Sequence, residues 1–179
     1  TTMIFEKKKI VLVGMTGVGK TTVGKILSKI LRKKFIDIDY EIEKSSGLKI
    51  HDFFESYGEE QFRRVEKKVL EKILDVNENF IISTGAGVLE DIESLENIKK
   101  KAISIYLDIK ISNLVDRLSS NIRNRPKLKT GNLKENLMGM YNLRKKNYNS
   151  ADIKITVDGL SLPDIVKRII NKLQNYEKN

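Results

Sequence analysis

Short apolar runs alternate along this chain with longer stretches in which apolar residues recur every three or four positions. Ile10-Val11-Leu12-Val13 is a β-branched run that ends at Gly14. Val23, Ile26, Leu27, Ile30 and Leu31 follow at the spacing of one helix face. Phe35-Ile36, Phe80-Ile81-Ile82 and Ala102 to Leu107 are further strand-like runs. Ile153 to Val157 is a fifth, alternating with polar residues as an edge strand does. Between the second run and Leu74 the pattern predicts three acidic, amphipathic helical stretches. Helical patterns also cover 112–119, 133–148 and 161–175, with Pro163 near the start of the last, where proline is tolerated. This alternation predicts a parallel sheet covered by helices on both faces. No internal repeat or low-complexity linker interrupts it. The one break is Asn121 to Asn132, polar and basic, with Pro126 and Gly131. A stretch of about 12 residues without structure of its own is usually functional or disordered.

Composition narrows the chemistry. A chain of 179 residues is expected to form one domain, here 3–179, with a core that needs no covalent staple. Thr1 and Thr2, ahead of Met3, are expected to be an appended remnant outside the fold. The absence of cysteine excludes disulfides, thiol nucleophiles and cysteine zinc sites. His51 is the single histidine, which excludes a histidine-rich metal site and a His–His acid/base pair. No apolar run approaches the roughly 20 residues that span a bilayer, and the start lacks a signal-peptide core. A cytoplasmic protein without a membrane partner is expected. Lys and Arg total 34 against 24 Asp and Glu, a net charge of +10, which raises a nucleic-acid reading. The lysines, however, lie in scattered doublets such as Lys67-Lys68 and Lys145-Lys146, with few aromatics beside them and no stacking platform. No nucleic-acid partner is expected. The excess charge suits solvated faces or an anionic small substrate.

Gly14-Met15-Thr16-Gly17-Val18-Gly19-Lys20-Thr21 matches G-x-x-x-x-G-K-[ST], after an apolar strand and at the opening of a helix. Both flanks are needed. Glycines let backbone N–H groups curl around phosphates, and a helix N-terminus adds partial positive charge. Lys20 would reach the β- and γ-phosphates, and the Thr21 hydroxyl would bind Mg²⁺. Asp37 and Asp39 follow the second strand-like run. In an extended segment, residues two apart face one side, so one could serve the metal and the other accept a proton from a substrate hydroxyl. The same pair also reads as helix caps. Asp108, after the fourth run, is expected to start the helix near Ser112. Arg63 and Glu66 are three apart and share a helix face, either as a plain surface pair or as an arginine aimed at an anion and held by its neighbour. Gly85-Ala86-Gly87 closes the third strand, as a ligand-approach turn or a plain one. Arg125-Pro126 lies in the polar break, and Arg144 sits late on a helix.

Together, in this order, these elements resemble the shikimate kinase family over Ile10 to about Ile170. The resemblance is carried by the phosphate loop with Thr22-Val23-Gly24, by Asp37-x-Asp39-x-x-Ile42-Glu43, and by Gly58-Glu59 with Phe62-Arg63-x-x-Glu66. It continues through the glycine segment 85–87, Arg125-Pro126, Arg144 four residues before Tyr148, and Ala151-Asp152. The Asp-x-Asp and Phe-Arg-x-x-Glu elements separate this family from adenylate and gluconate kinases. The resemblance implies ATP-dependent phosphorylation of the 3-hydroxyl of shikimate, a step toward chorismate and the aromatic amino acids. It implies an α/β P-loop kinase fold in three layers, a five-stranded parallel sheet flanked by helices, with a substrate-binding helical region about 38–66 and a lid about 121–132. By position, Asp39 contacts the substrate hydroxyls and is the candidate base. Arg63 and Arg144 hold the carboxylate, with Gly85, Ala86 and Gly87 beneath the ring. Lys20 and Arg125 act on the transferring phosphate. Gly17, Val18, Gly19, Lys20, Thr21 and Thr22 hold ATP, and Arg117 lies against adenine, although its spacing to the lid is one residue longer than usual. Thr21 and Asp37 would hold Mg²⁺, the latter through water. ATP and shikimate are the implied partners of a monomer.

Three departures stand out: Ala86 between the two glycines, Lys127 after Pro126, and Asn147 before Tyr148. None removes a catalytic group, so they bear on affinity, and a negative φ is expected at Ala86. A related kinase for another small molecule, such as a sugar acid, would share the scaffold. A non-catalytic binding module would lack Asp39, Arg63 or Arg144, and all three are present.

Overall fold

The computed structural model describes residues 4–119 and 132–176. Five strands, β1 (Lys9–Val13), β2 (Phe35–Asp37), β3 (Ile81–Ser83), β4 (Ala102–Asp108) and β5 (Ile153–Thr156), form one sheet in the order β2-β3-β1-β4-β5. Every pairing is parallel. Seven helices flank it among the described residues: α1 (Lys20–Leu31), α2 (Ile38–Ser46), α3 (Ile50–Asp75), α4 (Ile92–Lys101), α5 (Ile111–Ser119), α6 (Leu133–Tyr148) and α7 (Leu162–Gln174). The central strand β1 is buried along its whole length, which is why Ile10 to Val13 reads as an unbroken apolar run: a sheet covered on both faces leaves no polar side. The outer β5 is buried at alternate positions, as the edge-strand pattern predicts.

Register places the site. Leu12 pairs with Ser83 and Ile105, and Asp37 pairs with Ser83. The loop after β1, the end of β2 and the glycine segment after β3 therefore converge at one carboxyl edge, where the strand order reverses and open α/β sheets bind ligands. Thr84 fastens that edge, its Oγ1 donating to the Leu12 carbonyl at 2.9 Å.

Several expectations are refined. The third amphipathic stretch is continuous with the second: α3 runs from 50 to 75, with a break at Gly58 (φ 82°, ψ 172°). Phe53, Phe54 and Phe62 bridge the break, with Phe54 and Phe62 ring centroids 4.5 Å apart. Glu43 holds the start of α3, its carboxylate accepting from the Ile50 N–H at 3.0 Å. Helix α4 and the short 3-10 turn Val88–Glu90 before it were not singled out by periodicity, although Asp91 caps α4 and three lysines close it, the polarity a helix dipole favours. Asp108 does not start α5. It ends β4 and accepts from the Tyr106 hydroxyl at 3.0 Å. Asp158 braces α5 instead, accepting from the Lys110 N–H at 3.0 Å and from Asn113 Nδ2 at 2.6 Å.

Candidate active site

The loop Gly14 to Gly19 turns tightly because three of its residues occupy backbone space that side chains avoid. Gly14, Gly17 and Gly19 have φ of 149°, 84° and 110°. Gly19 is also the N-cap of α1 and offers no side chain to the helix start, so the first amides of α1 face the loop rather than a capping group. Lys20 folds into this concavity. It is 8% exposed, and its Nζ donates to the Gly14 carbonyl at 2.6 Å and the Met15 carbonyl at 3.1 Å. Val18 is buried beneath the loop, and its N–H donates to the Met15 carbonyl at 3.2 Å, so it shapes the turn from inside. Arg117, on α5, donates from Nη1 to the Val18 carbonyl at 3.2 Å, which puts a guanidinium beside the outer rim.

Asp37 and Asp39 satisfy both readings of their spacing. Strand β2 ends at Asp37, whose carboxylate caps α2 by accepting from the Asp39 and Tyr40 N–H groups. Its other oxygen accepts from Thr21 Oγ1 at 3.1 Å. Asp39 belongs to the first turn of α2 rather than to an extended segment, which corrects the extended-strand reading. A strand-to-helix junction brings the two carboxylates to one side. Burial pushes the Asp39 carboxyl up to about 6, with the charges of Asp37 and Glu66 adding to the effect and Lys20 opposing it. Lys20, Thr21, Thr22, Asp37, Asp39, Gly85 and Ala86 line one open pocket of about 390 Å³, together with Thr16, Gly17 and Gly19.

Arg63 and Glu66 form the second part of the site. Arg63 Nη1 donates to Glu66 Oε1 at 2.8 Å, and Nη2 lies 3.6 Å from Glu59. Glu66 is 2% exposed and its Oε2 has no hydrogen-bond partner among the described residues. Burial raises the Glu66 carboxyl above its ordinary range, opposed by Arg63 and Arg144. Burial works against the charged form of Arg63 as well, but Glu66 more than compensates and its guanidinium is held even more firmly protonated than usual. Arg144 is 9% exposed, with its Nε 3.4 Å from Glu90. Arg63 and Gly87 line a neighbouring pocket of about 430 Å³ with Glu66 and Glu90, so the first pocket does not contain all the predicted acceptor-side groups.

Gly87 has φ −94°, and neither Gly85 nor Ala86 has a positive φ; a negative φ at Ala86 is the expected result. These glycines leave room for protein side chains. A Cβ at Gly85 would lie 2.6 Å from Glu66 Oε2 and 3.3 Å from Asp39 Oδ1, and one at Gly87 would lie 2.9 Å from Arg63 Cζ. Arg125 and the 121–131 part of the expected lid lie outside the described residues; Asn132 caps α6. Periodicity and motif matching did not reveal Glu90 as the partner of Arg144 or Asp158 as the brace of α5, because each pair is brought together only by the fold.

The comparisons agree with this geometry. The "Shikimate kinase" family profile matches residues 16–174. Over 167 residues the chain is 40% identical to shikimate kinase from Persephonella marina, covering 93% of this chain and 99% of the relative. It is 39% identical to that of Sulfurihydrogenibium sp. over the same length, with 93% and 98% covered. The structure matches shikimate kinase from Acinetobacter baumannii in complex with shikimate with a TM-score of 0.89 at 32% identity, covering 97% of this chain and 98% of that one. A gluconokinase from Sinorhizobium meliloti, at 17% identity and a TM-score of 0.60, shares the fold alone. From the phosphate loop to the glycine segment, and along nearly its whole length, this chain belongs to the shikimate kinase family.

Proposed function

We propose that the protein's reaction, transfer of the γ-phosphoryl of ATP to the 3-hydroxyl of shikimate, is divided between two sets of residues. On the donor side, the amides around Gly17, Gly19, Lys20, Thr21 and Thr22 cradle the phosphates, with Val18 shaping the loop and Arg117 placed for adenine. Lys20 exchanges its loop carbonyls for phosphate oxygens. Thr21 Oγ1 and Asp37 Oδ2, 3.1 Å apart, are hard oxygen donors at a helix start and fit Mg²⁺. When bound, that ion would neutralise phosphate charge. Arg125 is proposed for the same task.

On the acceptor side, Asp39 takes the hydroxyl proton. A carboxyl near 6 is ionised at neutral pH and still close enough to it to serve as a general base. Arg63 and Arg144 suit a planar carboxylate, to which guanidinium forks match well. The helical region 38–66 and the segment 85–87 would surround the ring. The single observation that carries this reading is that Asp39, with its raised carboxyl, lines the same pocket as Lys20 and Thr21. A coupled ADP-release assay tests it, comparing shikimate with quinate, gluconate and nucleoside monophosphates, with and without Mg²⁺. Turnover with shikimate alone, lost in EDTA, is expected. Equal turnover with gluconate would overturn the acceptor assignment. Light scattering should report a monomer.

A further inference from the structure

The last turn of α6 grips the segment 86–90 at three points. Tyr148 Oη donates to the Ala86 carbonyl. Asn147 Nδ2 donates to the Leu89 carbonyl at 2.7 Å. Arg144 Nε lies 3.4 Å from Glu90 Oε2, an ion-pair contact without a hydrogen bond. Arg144 stands one helical turn before Tyr148 on the same face of α6. The Tyr148 hydroxyl therefore ties the turn that carries Arg144 to the loop.

The ring that carries the hydroxyl has little freedom. It is 1% exposed and stacks on Tyr106, with centroids 4.9 Å apart and planes 16° apart. Tyr106 is itself tied to Asp108 at the end of β4. Met15 Sδ of the phosphate loop lies 3.9 Å from the Tyr148 oxygen. A rigid aromatic pair, anchored in the sheet, thus presents a single polar atom to the Ala86 backbone. The guanidinium meets Glu90 only at ion-pair distance, and the phenol and the Asn147 amide supply directional bonds to the segment that such a contact lacks.

We propose that Tyr148 is a positioning residue whose hydroxyl fixes the last turn of α6, and with it Arg144, relative to the Ala86–Leu89 backbone, so that the surfaces for the carboxylate and the ring of shikimate are set as one unit, with Asn147 as a second clamp. This inference rests on the reading of Arg144 and segment 85–87 as the shikimate side. The phosphate loop is turned by its own glycines, so loss of the clamp should leave ATP binding unchanged.

The test compares Tyr148→Phe, Asn147→Leu and Arg144→Ala by steady-state kinetics and thermal melting. Tyr148→Phe keeps the stacked ring and removes only the hydroxyl. It should raise the shikimate KM about fivefold, the scale of a buried bond between neutral groups, and hold kcat and the ATP KM within about twofold. Asn147→Leu removes a bond between neutral groups and should raise the shikimate KM about threefold; it also serves if Tyr148→Phe does not fold. A merely structural role would lower the melting temperature while leaving both KM values alone, and that outcome in the two variants overturns the inference. If Arg144→Ala raises the shikimate KM but neither clamp variant does, the inference fails and the substrate reading stands. If Arg144→Ala itself leaves the shikimate KM unchanged, the substrate reading fails first.

Discussion

Two glycine-rich turns face the same edge of the sheet, and they use glycine for different reasons. In the phosphate loop, Gly14, Gly17 and Gly19 have positive φ; the residue is required by the backbone, and the loop presents amides rather than side chains. In the segment 85–87 no φ is positive. There glycine supplies clearance: Gly85 for Glu66 and Asp39, Gly87 for Arg63. The proposed donor side is centred on one contiguous stretch, Gly14 to Thr22, whose amides work beside the Lys20 and Thr21 side chains. The proposed acceptor side is assembled from α2, α3, the segment after β3 and α6, and draws on buried charged side chains that compensate one another. A side-chain site of this kind is expected to fail one substitution at a time, on shikimate parameters and not on ATP.

Asp39→Asn is the strongest way to separate the two. Loss of a general base should lower kcat by about 10²–10⁴-fold with ATP binding intact, as read by nucleotide titration; a variant keeping more than half the parent kcat would remove Asp39 from the mechanism. The same substitution should stabilise the fold above neutrality. The folded protein holds the Asp39 proton more tightly than the unfolded chain, so this group stabilises the fold below pH 3.8, and that contribution is lost as pH rises through about 6. The displacement from 3.8 to about 6 corresponds to on the order of 3 kcal/mol as an upper bound. Melting of Asp39→Asn at pH 8 should therefore lie above that of the parent.

Arg63→Ala comes next. It should raise the shikimate KM roughly 10–100-fold, the loss of one charge-assisted contact, with the ATP KM unmoved. It also leaves Glu66, 2% exposed, without its closest cation. The expected destabilisation is on the order of 2–3 kcal/mol, below that of a fully enclosed pair because Arg63 is 27% exposed. Gly87→Ala is the clearance version of the same test: the new methyl must displace the guanidinium, so shikimate binding weakens although no charge is lost. An ATP KM that moved with either variant would break the proposed separation.

The pH profile gives a smaller effect. If Asp39 must be ionised to accept the proton, kcat should fall about tenfold between pH 7 and pH 5, following a group near 6. Above pH 7 this limb should be flat. A profile that stays flat down to pH 5 would show that the burial of Asp39 has no consequence for turnover.

The same contrast explains what was legible in the sequence. The phosphate loop could be read because its requirements are local: a strand, three glycines, a lysine and a helix start in consecutive order. The five strands could be read because a doubly covered sheet demands apolar runs. Asp39 was recognisable by type and spacing, but its place on a helix was not, since Asp37 ends the strand and caps the helix with the same carboxylate. The supports of the acceptor side were hidden. Arg144 meets Glu90, Tyr148 meets Ala86 and Asn147 meets Leu89, pairs that share no motif and are joined only when α6 packs beside the turn after β3. Clearance glycines were equally opaque: Gly85 and Gly87 look like a turn in sequence, and only the arrival of Glu66, Asp39 and Arg63 shows why a side chain would not fit.

Ala86 gives the smallest and sharpest test, because it stands between two clearance glycines and is not one. Its φ is not in the left-handed region, so alanine carries no backbone strain there and glycine would relieve none. Its carbonyl is held by the Tyr148 hydroxyl, which fixes the peptide whatever the side chain. Glycine at this position would instead widen the conformations open to the segment when shikimate is absent. Ala86→Gly should therefore change the shikimate KM by less than about tenfold, or roughly 1.4 kcal/mol. The ATP KM should be unchanged, since the phosphates belong to the loop after β1. A shikimate KM more than tenfold tighter in the glycine variant would mean that the Ala86 methyl occupies space the ring needs, and clearance would then govern all three residues of the turn.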